Sequence, residues 1–153
     1  MKVRFWGVRG SVPVPGASTV RYGGNTACVE VTGGAGECVI LDAGTGLRPL
    51  GMDMLGRCPL PSPIHLLITH THWDHIEGFP FFAPCYLREA EVRVFGPAHF
   101  RSDRSLRAIF EAQMQYEFFP VSNQQLAASI SYESLAETSF SIGTLRVATQ
   151  FMN

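Results

Sequence analysis

The chain has 153 residues, a formal net charge of −1 at pH 7 and a hydrophobic fraction of 46%. This length fits one domain with a substantial core, and this hydrophobic fraction excludes a disordered chain. The near-zero charge argues against a nucleic-acid-binding protein or a polybasic membrane-surface protein, because both depend on clustered positive charge. No segment approaches the roughly 18 consecutive apolar residues that span a membrane. We therefore expect neither a nucleic-acid partner nor a membrane partner.

The N-terminal segment and the cysteines predict a cytoplasmic location. Residues 1–10 contain no apolar run of the kind found in secretory signal peptides. The four cysteines include no C-x-x-C pair; they are Cys28, Cys38, Cys58 and Cys85. Without a secretory signal, they are expected to remain reduced thiols.

The first third of the chain is predicted to consist mainly of strands. Strands are expected at residues 2–8, 27–32 and 37–41, and the Gly-rich turn at 33–36 makes the last two a hairpin. The Gly-, Pro- and Ser-rich residues 9–25 are predicted to form a loop. Asp42 follows the third strand in a tight turn over residues 42–46, and a short helix is expected at 47–55.

The remaining sequence alternates strands with one clear helix. Strands are predicted at residues 64–69, 92–95, 129–135, 139–142 and 144–151, with a loop at 78–84. Residues 102–115 are predicted to be a helix capped by Ser102, since the apolar residues fall on one face: Leu106, Ile109, Phe110 and Met114. Strands with intervening helices indicate an α/β or α+β fold.

One short segment contains the residues that indicate a chemical function. His70-Thr71-His72-Trp73-Asp74-His75 places three histidines and one aspartate within six residues, directly after a buried strand. On an extended segment, residues two apart point to the same side, so His70 and His72 can bind one ion together. Asp74 and His75 fall where the chain leaves the strand for a helix, and they can bind a second ion. The segment therefore predicts a site for divalent metals.

Imidazole and carboxylate ligands suit zinc, and also iron or manganese, so the sequence leaves the metal open. Two ions about 3.5–4 Å apart can share a hydroxide nucleophile. Asp74 is the candidate catalytic residue, holding one metal and accepting a hydrogen bond from the nucleophile. Asp42 is predicted to support the metal-binding histidines, which usually donate their other N–H to a carboxylate or carbonyl.

The isolated histidines and the aromatic run are less specific patterns, and we interpret them as structural. The isolated His65 and His99 are read as structural residues, and the aromatic run at residues 79–82 as core packing more than as a pocket lining. No P-loop, dinucleotide-binding glycine motif or nucleophile elbow is present in the sequence. A cysteine hydrolase has little support, because Cys85 and His65 form no nucleophile–base pattern.

The motif resembles the H-x-H-x-D-H signature of the metallo-β-lactamase superfamily. Further segments resemble its phosphodiesterase-like branch, which includes phosphoribosyl cyclic phosphodiesterases, cyclic-nucleotide phosphodiesterases and tRNA 3′-processing nucleases. These segments are Val8-Arg9-Gly10-Ser11, Tyr22-Gly23-Gly24-Asn25-Thr26, Leu41-Asp42-Ala43-Gly44-Thr45-Gly46 and the residues after His75.

The resemblance implies an αββα sandwich with two divalent metal ions, zinc first among the candidates, at one edge of its two sheets. It assigns His70 and His72 to the first metal, Asp74 and His75 to the second, and Asp42 to their support. The implied activity is hydrolysis of a small phosphodiester substrate. The alternatives are a thioester or lactone hydrolase on the same scaffold and a non-catalytic metal-binding module.

The resemblance covers the N-terminal part of the family's domain. Residues 1–153 are therefore interpreted as a single, C-terminally truncated domain that lacks most of the second sheet and about half of the metal ligands. Three explanations remain open: a piece of a longer protein, a homodimer that covers the face of the missing sheet, and a vestigial protein.

Overall fold

A computed structural model describes residues 1–97 and 104–151. Within these ranges, eight strands are formed: β1 Lys2–Gly7, β2 Cys28–Thr32, β3 Cys38–Leu41, β4 Ile64–Leu67, β5 Glu91–Pro97, β6 Ser129–Leu135, β7 Thr138–Ile142 and β8 Leu145–Thr149. The three α-helices are α1 Leu47–Leu55, α2 Trp73–Ile76 and α3 Leu106–Gln113. Short 3-10 turns occupy Ala17–Thr19, Phe79–Phe81, Ala83–Tyr86 and Asn123–Gln125.

Strands β1 to β6 form one mixed sheet in sequence order. The pairs β1–β2 and β2–β3 are antiparallel, whereas β3–β4, β4–β5 and β5–β6 are parallel. Parallel neighbours need crossover connections, and α1 and α3 lie in two of these connections. The carboxyl ends of β3 and β4 therefore meet at the same edge of the sheet, and the turns that follow these strands carry Asp42 and His70.

The main core lies between one face of the sheet and the helices. Alternate residues of the central strands point to this face and are fully buried: Ile40, Ile64, Leu66, Val92 and Val94. Helix α1 contributes Leu47, Leu50 and Met54, and α3 contributes Leu106 and Phe110. The ring of Phe110 packs edge-on against Phe79, with ring centroids 4.7 Å apart. The aromatic run at residues 79–82 is thus partly core, with Phe79 and Phe82 fully buried and Phe81 exposed.

The opposite face of the sheet is covered in part by the β7–β8 hairpin, which forms a separate two-stranded sheet. Phe140 of β7 lies against Phe95 of β5, with ring centroids 5.6 Å apart. Glu37 attaches the hairpin turn to the main sheet, because its carboxylate accepts the backbone N–H groups of Ala35 and Thr144. The predicted α/β fold class is confirmed for the described part of the chain, which forms a mixed six-stranded sheet and a separate two-stranded sheet.

Glu37 is expected to hold the β7–β8 hairpin in a pH-dependent way. The backbone N–H of Thr144 is the largest influence, and the hydrogen bonds together lower the pKa of Glu37 from 4.5 to about 2. Because the folded-state pKa is depressed, this stabilisation is present above about pH 4.5 and is lost as the pH falls towards 2. At pH 7, Glu37→Gln should speed amide hydrogen exchange in β7 and β8. The exposed Glu89→Gln is the matched control, and equal exchange in the two variants would contradict this role.

The predicted strands and helix α1 agree with the structure to within one or two residues at their ends, and the larger differences are at α3 and in the predicted loops. The helix predicted at residues 102–115 spans Leu106–Gln113, and Ser105 caps it by accepting the backbone N–H of Ala108 at 3.2 Å. The predicted cap, Ser102, lies outside the described residues. The predicted loop at 78–84 contains the 3-10 turn Phe79–Phe81 and overlaps the start of a second, Ala83–Tyr86, because Pro80 and Pro84 favour the first positions of such turns. No described helix is both long and apolar enough to cross a membrane.

Candidate functional site

The motif segment follows β4 and leads into α2. Strand β4 ends at Leu67, and His72 is still extended (φ −64°, ψ 151°) when it begins the short helix α2. This local path agrees with the predicted exit from a strand into a helix. Asp74 lies in the first turn of α2, where a carboxylate suits the positive end of the backbone dipoles.

The three histidines of the motif lie together. The ring centroid of His70 is 4.7 Å from that of His72 and 4.0 Å from that of His75. Burial of His70 is the largest cause that lowers the pKa of its imidazole. The neighbouring imidazoles of His75 and His72 lower this pKa further. A neutral imidazole keeps a lone pair for a metal ion, so this environment suits ligation.

Asp42 lies behind His75. Its carboxylate accepts hydrogen bonds from the backbone N–H and the hydroxyl of Thr69, at 2.8 and 2.9 Å to Oδ1. Its Oδ2 is 2.8 Å from Nδ1 of His75. That separation suits an ion pair, but the ring N–H does not point along it, and Nδ1 has no hydrogen-bond partner. At 2.8 Å the two atoms are nevertheless in contact, so the carboxylate of Asp42 limits the movement of the ring.

The backbone at Asp42 fixes this arrangement. Asp42 has a φ of 62°, a left-handed conformation that aspartate tolerates better than most residues. Its N–H donates to the carbonyl of Leu67 at 2.9 Å, and the next N–H, from Ala43, donates to the carbonyl of His75 at 2.7 Å. The turn after β3 is therefore bound directly to α2, and the carboxylate of Asp42 is held beside the motif.

Asp74 contacts a loop distant in sequence. Its Oδ2 accepts the backbone N–H of Ser11 at 2.8 Å and lies 3.5 Å from Nε2 of His75. The hydrogen bond from Ser11 is the largest cause that lowers the pKa of Asp74. Ser11 has a φ of 69°, which is uncommon for a residue other than glycine. Such backbone strain often accompanies functional sites.

The spacing of the side-chain donor atoms shows how far the motif fits a bound divalent ion. Ligands about 2.0–2.2 Å from a tetrahedral zinc are roughly 3.4 Å apart, so Asp74 Oδ2 and His75 Nε2, at 3.5 Å, are spaced as two ligands of one ion. Among residues 1–97 and 104–151, however, no three His, Cys, Asp or Glu side chains are arranged to hold one ion. The fit is therefore partial: the chemistry and one pair of donors agree, and the described residues do not complete a site.

A second group of hydrogen-bonded side chains, centred on Thr26, connects the turn over residues 42–46 to the end of α2. Thr26 is fully buried, and its hydroxyl donates to Glu77 at 3.1 Å and accepts the backbone N–H of Thr45 at 2.8 Å. Thr45 returns the contact by accepting the N–H of Thr26 at 2.9 Å. Gly44 lies so close to this group that an added Cβ would be 2.3 Å from the carbonyl oxygen of Asp74. The turn over residues 42–46 therefore tolerates no side chain at Gly44.

Sequence reasoning missed Ser11 and Thr69 as individual contributors. Ser11 lies in a segment noted for its resemblance, yet nothing in its local sequence indicates a contact with Asp74, 63 residues away. Thr69 directly precedes the motif, and this position was the available signal. His65, read as structural, is buried on β4, and His99, read in the same way, lies outside the described residues.

A cavity of about 670 Å³ opens beside His70, between the sheet and the β7–β8 hairpin. Apolar side chains from both layers dominate its walls, including Leu67, Phe95 and Val147. His70 and Thr69 are at its rim, so the candidate site borders a space large enough for a small molecule.

Part of the chain is similar to a known protein family. Residues 21–84 match the metallo-beta-lactamase superfamily. The matched segment contains Asp42 and the whole motif at residues 70–75, so the superfamily-level resemblance is confirmed for this part of the chain. Proteins of the superfamily are generally hydrolytic and usually bind divalent metals, which indicates a metallohydrolase-type function. A comparison with curated proteins gave no match. The phosphodiesterase-like branch and the roles of individual residues stay predictions.

Proposed function

We propose that this chain is a metal-dependent hydrolase that acts on phosphodiester bonds. The observation that carries the proposal is the cluster of donors at the edge of the main sheet. The rings of His72 and His75 each contact the ring of His70 there, and His75 lies between the carboxylates of Asp42 and Asp74. The match over residues 21–84 supports the hydrolytic class, and the resemblance of the segment at 8–11 to the phosphodiesterase-like branch supports the substrate class.

In this proposal, divalent ions held at the cluster would supply a nucleophile for hydrolysis at neutral pH and would stabilise the leaving oxygen. His70 and His72 supply neutral nitrogen donors, and Asp74 and His75 supply the spaced pair described above. The Ser11 N–H keeps Asp74 ionised and oriented, so its carboxylate can accept a hydrogen bond from an attacking water. Asp42 restrains the ring of His75.

The test is hydrolysis of bis-p-nitrophenyl phosphate with added Zn²⁺ or Mn²⁺. We expect turnover that a chelator abolishes and that His72→Ala reduces to background. His65→Gln is the control, because His65 is a histidine outside the cluster. Turnover that is unchanged in His72→Ala would contradict the proposal.

A panel of substrates separates the rival activities on the same scaffold. Metal-dependent cleavage of thioesters or lactones, without cleavage of the phosphodiester, would replace the proposed substrate class. Stoichiometric metal binding without turnover of any substrate would instead identify a non-catalytic metal-binding module.

A further inference from the structure

A second cavity, of about 820 Å³, lies beside α2 and does not use the metal-ligand candidates. Trp73, Ile76 and Glu77 line it, and these positions are spaced i, i+3 and i+4, so they share one side of the turn. Asp74 and His75 are not among its lining residues. We call this cavity the aromatic cleft. Its other walls come from α1, α3, the 3-10 turn at Phe79–Phe81 and the segment after α3.

The cleft exposes an unusual amount of aromatic surface. Trp73 is 78% exposed, Phe118 71% and Phe81 54%, and all three line the same cavity. Phe119 packs edge-on against Phe81, with ring centroids 5.3 Å apart, which restrains that wall. Clustered aromatic side chains that remain exposed to solvent often mark a binding surface. Their shape suits a flat aromatic ring, which stacks on such faces.

The polar lining of the cleft favours an anion. Two guanidinium groups line it, from Arg48 of α1 and from Arg104. The carboxylate of Glu77 also lines it, but Oε1 of this group already accepts the hydroxyl of Thr26. Arginine presents a planar set of donors that matches phosphate and carboxylate oxygens. The volume is within the range of pockets that hold small-molecule ligands.

We propose that the aromatic cleft binds a planar aromatic anion of nucleotide size, with its ring on Trp73 and Phe118 and its phosphate at Arg48. This binding goes beyond the proposed hydrolysis, because none of the lining side chains is a candidate metal ligand. It therefore persists when no divalent ion is present.

The test is isothermal titration calorimetry of the full chain with adenosine monophosphate in the presence of EDTA. We expect saturable binding with a Kd below about 1 mM. Adenosine alone and inorganic phosphate alone should each bind at least about tenfold more weakly, since each lacks one of the two recognised groups. Chelation separates this test from the hydrolytic proposal, and neither result determines the other.

Two variants assign the contacts. Arg48→Gln should weaken binding of adenosine monophosphate about tenfold and leave adenosine unchanged, whereas Trp73→Leu should weaken both. Arg93→Gln is the matched control, because Arg93 is an exposed arginine outside the cleft. Absence of saturable binding, equal affinity for inorganic phosphate, or equal behaviour of Arg48→Gln and Arg93→Gln would overturn the proposal.

Discussion

Asp42→Ala is expected to weaken binding of Zn²⁺ about 10- to 100-fold and to lower hydrolysis in the same proportion. Outer residues that orient a metal-binding histidine typically have effects of this size. Asp42 Oδ2 is 2.8 Å from Nδ1 of His75, so its removal frees the ring of the histidine that is proposed to bind metal. The affinity is measured by competition with a chelator of known affinity.

Two further variants separate positioning from folding. Asp42→Ala also removes the acceptor of the part-buried hydrogen bond from the Thr69 N–H, which costs about 0.5–1.5 kcal/mol of unfolding free energy. Asp42→Asn keeps the side-chain volume and an acceptor for Thr69, but it removes the charge beside His75. It should therefore fold nearly as well and still bind Zn²⁺ more weakly, while the exposed Glu89→Gln leaves both unchanged. Unaltered affinity in a folded Asp42→Asn protein would contradict a positioning role.

Phe110→Ala should lower the free energy of unfolding by about 3–5 kcal/mol, the usual cost of deleting a buried aromatic ring. Phe110 is fully buried and contacts the rings of Phe79 and Tyr132, with centroids 4.7 and 5.6 Å away. Its side chain joins α3 to the main sheet and to the turn that follows the motif. Urea denaturation followed by circular dichroism gives the free energy.

Phe118→Ala is the matched control for this variant. Phe118 is 71% exposed, so its truncation should change the free energy of unfolding by no more than about 0.5 kcal/mol. Comparison of the two variants also distinguishes the role of the core from that of the aromatic cleft, because Phe118→Ala should weaken ligand binding without loss of stability. A cost below about 1 kcal/mol for Phe110→Ala would show that α3 is not part of the main core.

The strands and α1 could be predicted because their signals are local. Apolar runs bounded by glycine or proline indicate β2, β3 and β4, and α1 spans Leu47–Leu55 as predicted. The start of α3 was predicted less well, since the helix was expected to begin at Ser102, which lies outside the described residues. Ser105 is the observed cap.

The candidate site was predictable only where its residues are adjacent in sequence. The motif at residues 70–75 is one continuous segment, and Asp42 directly follows a strand that pairs with β4. The Ser11–Asp74 hydrogen bond joins residues far apart in the chain and depends on a left-handed backbone at Ser11. The aromatic cleft combines α1, α2 and the segment around α3. No local pattern encodes such contacts, because they arise from the packing of separate elements.

The central claim is that the motif at residues 70–75 binds divalent metal. The most direct measurement is the metal content per chain, by elemental mass spectrometry on protein purified without chelator or added metal. We expect at least one equivalent of a divalent transition metal, approaching two when all ligands are supplied, and a clear decrease in His72→Ala and Asp74→Ala. A content near zero in the unaltered chain, or one that these substitutions leave unchanged, would contradict the claim.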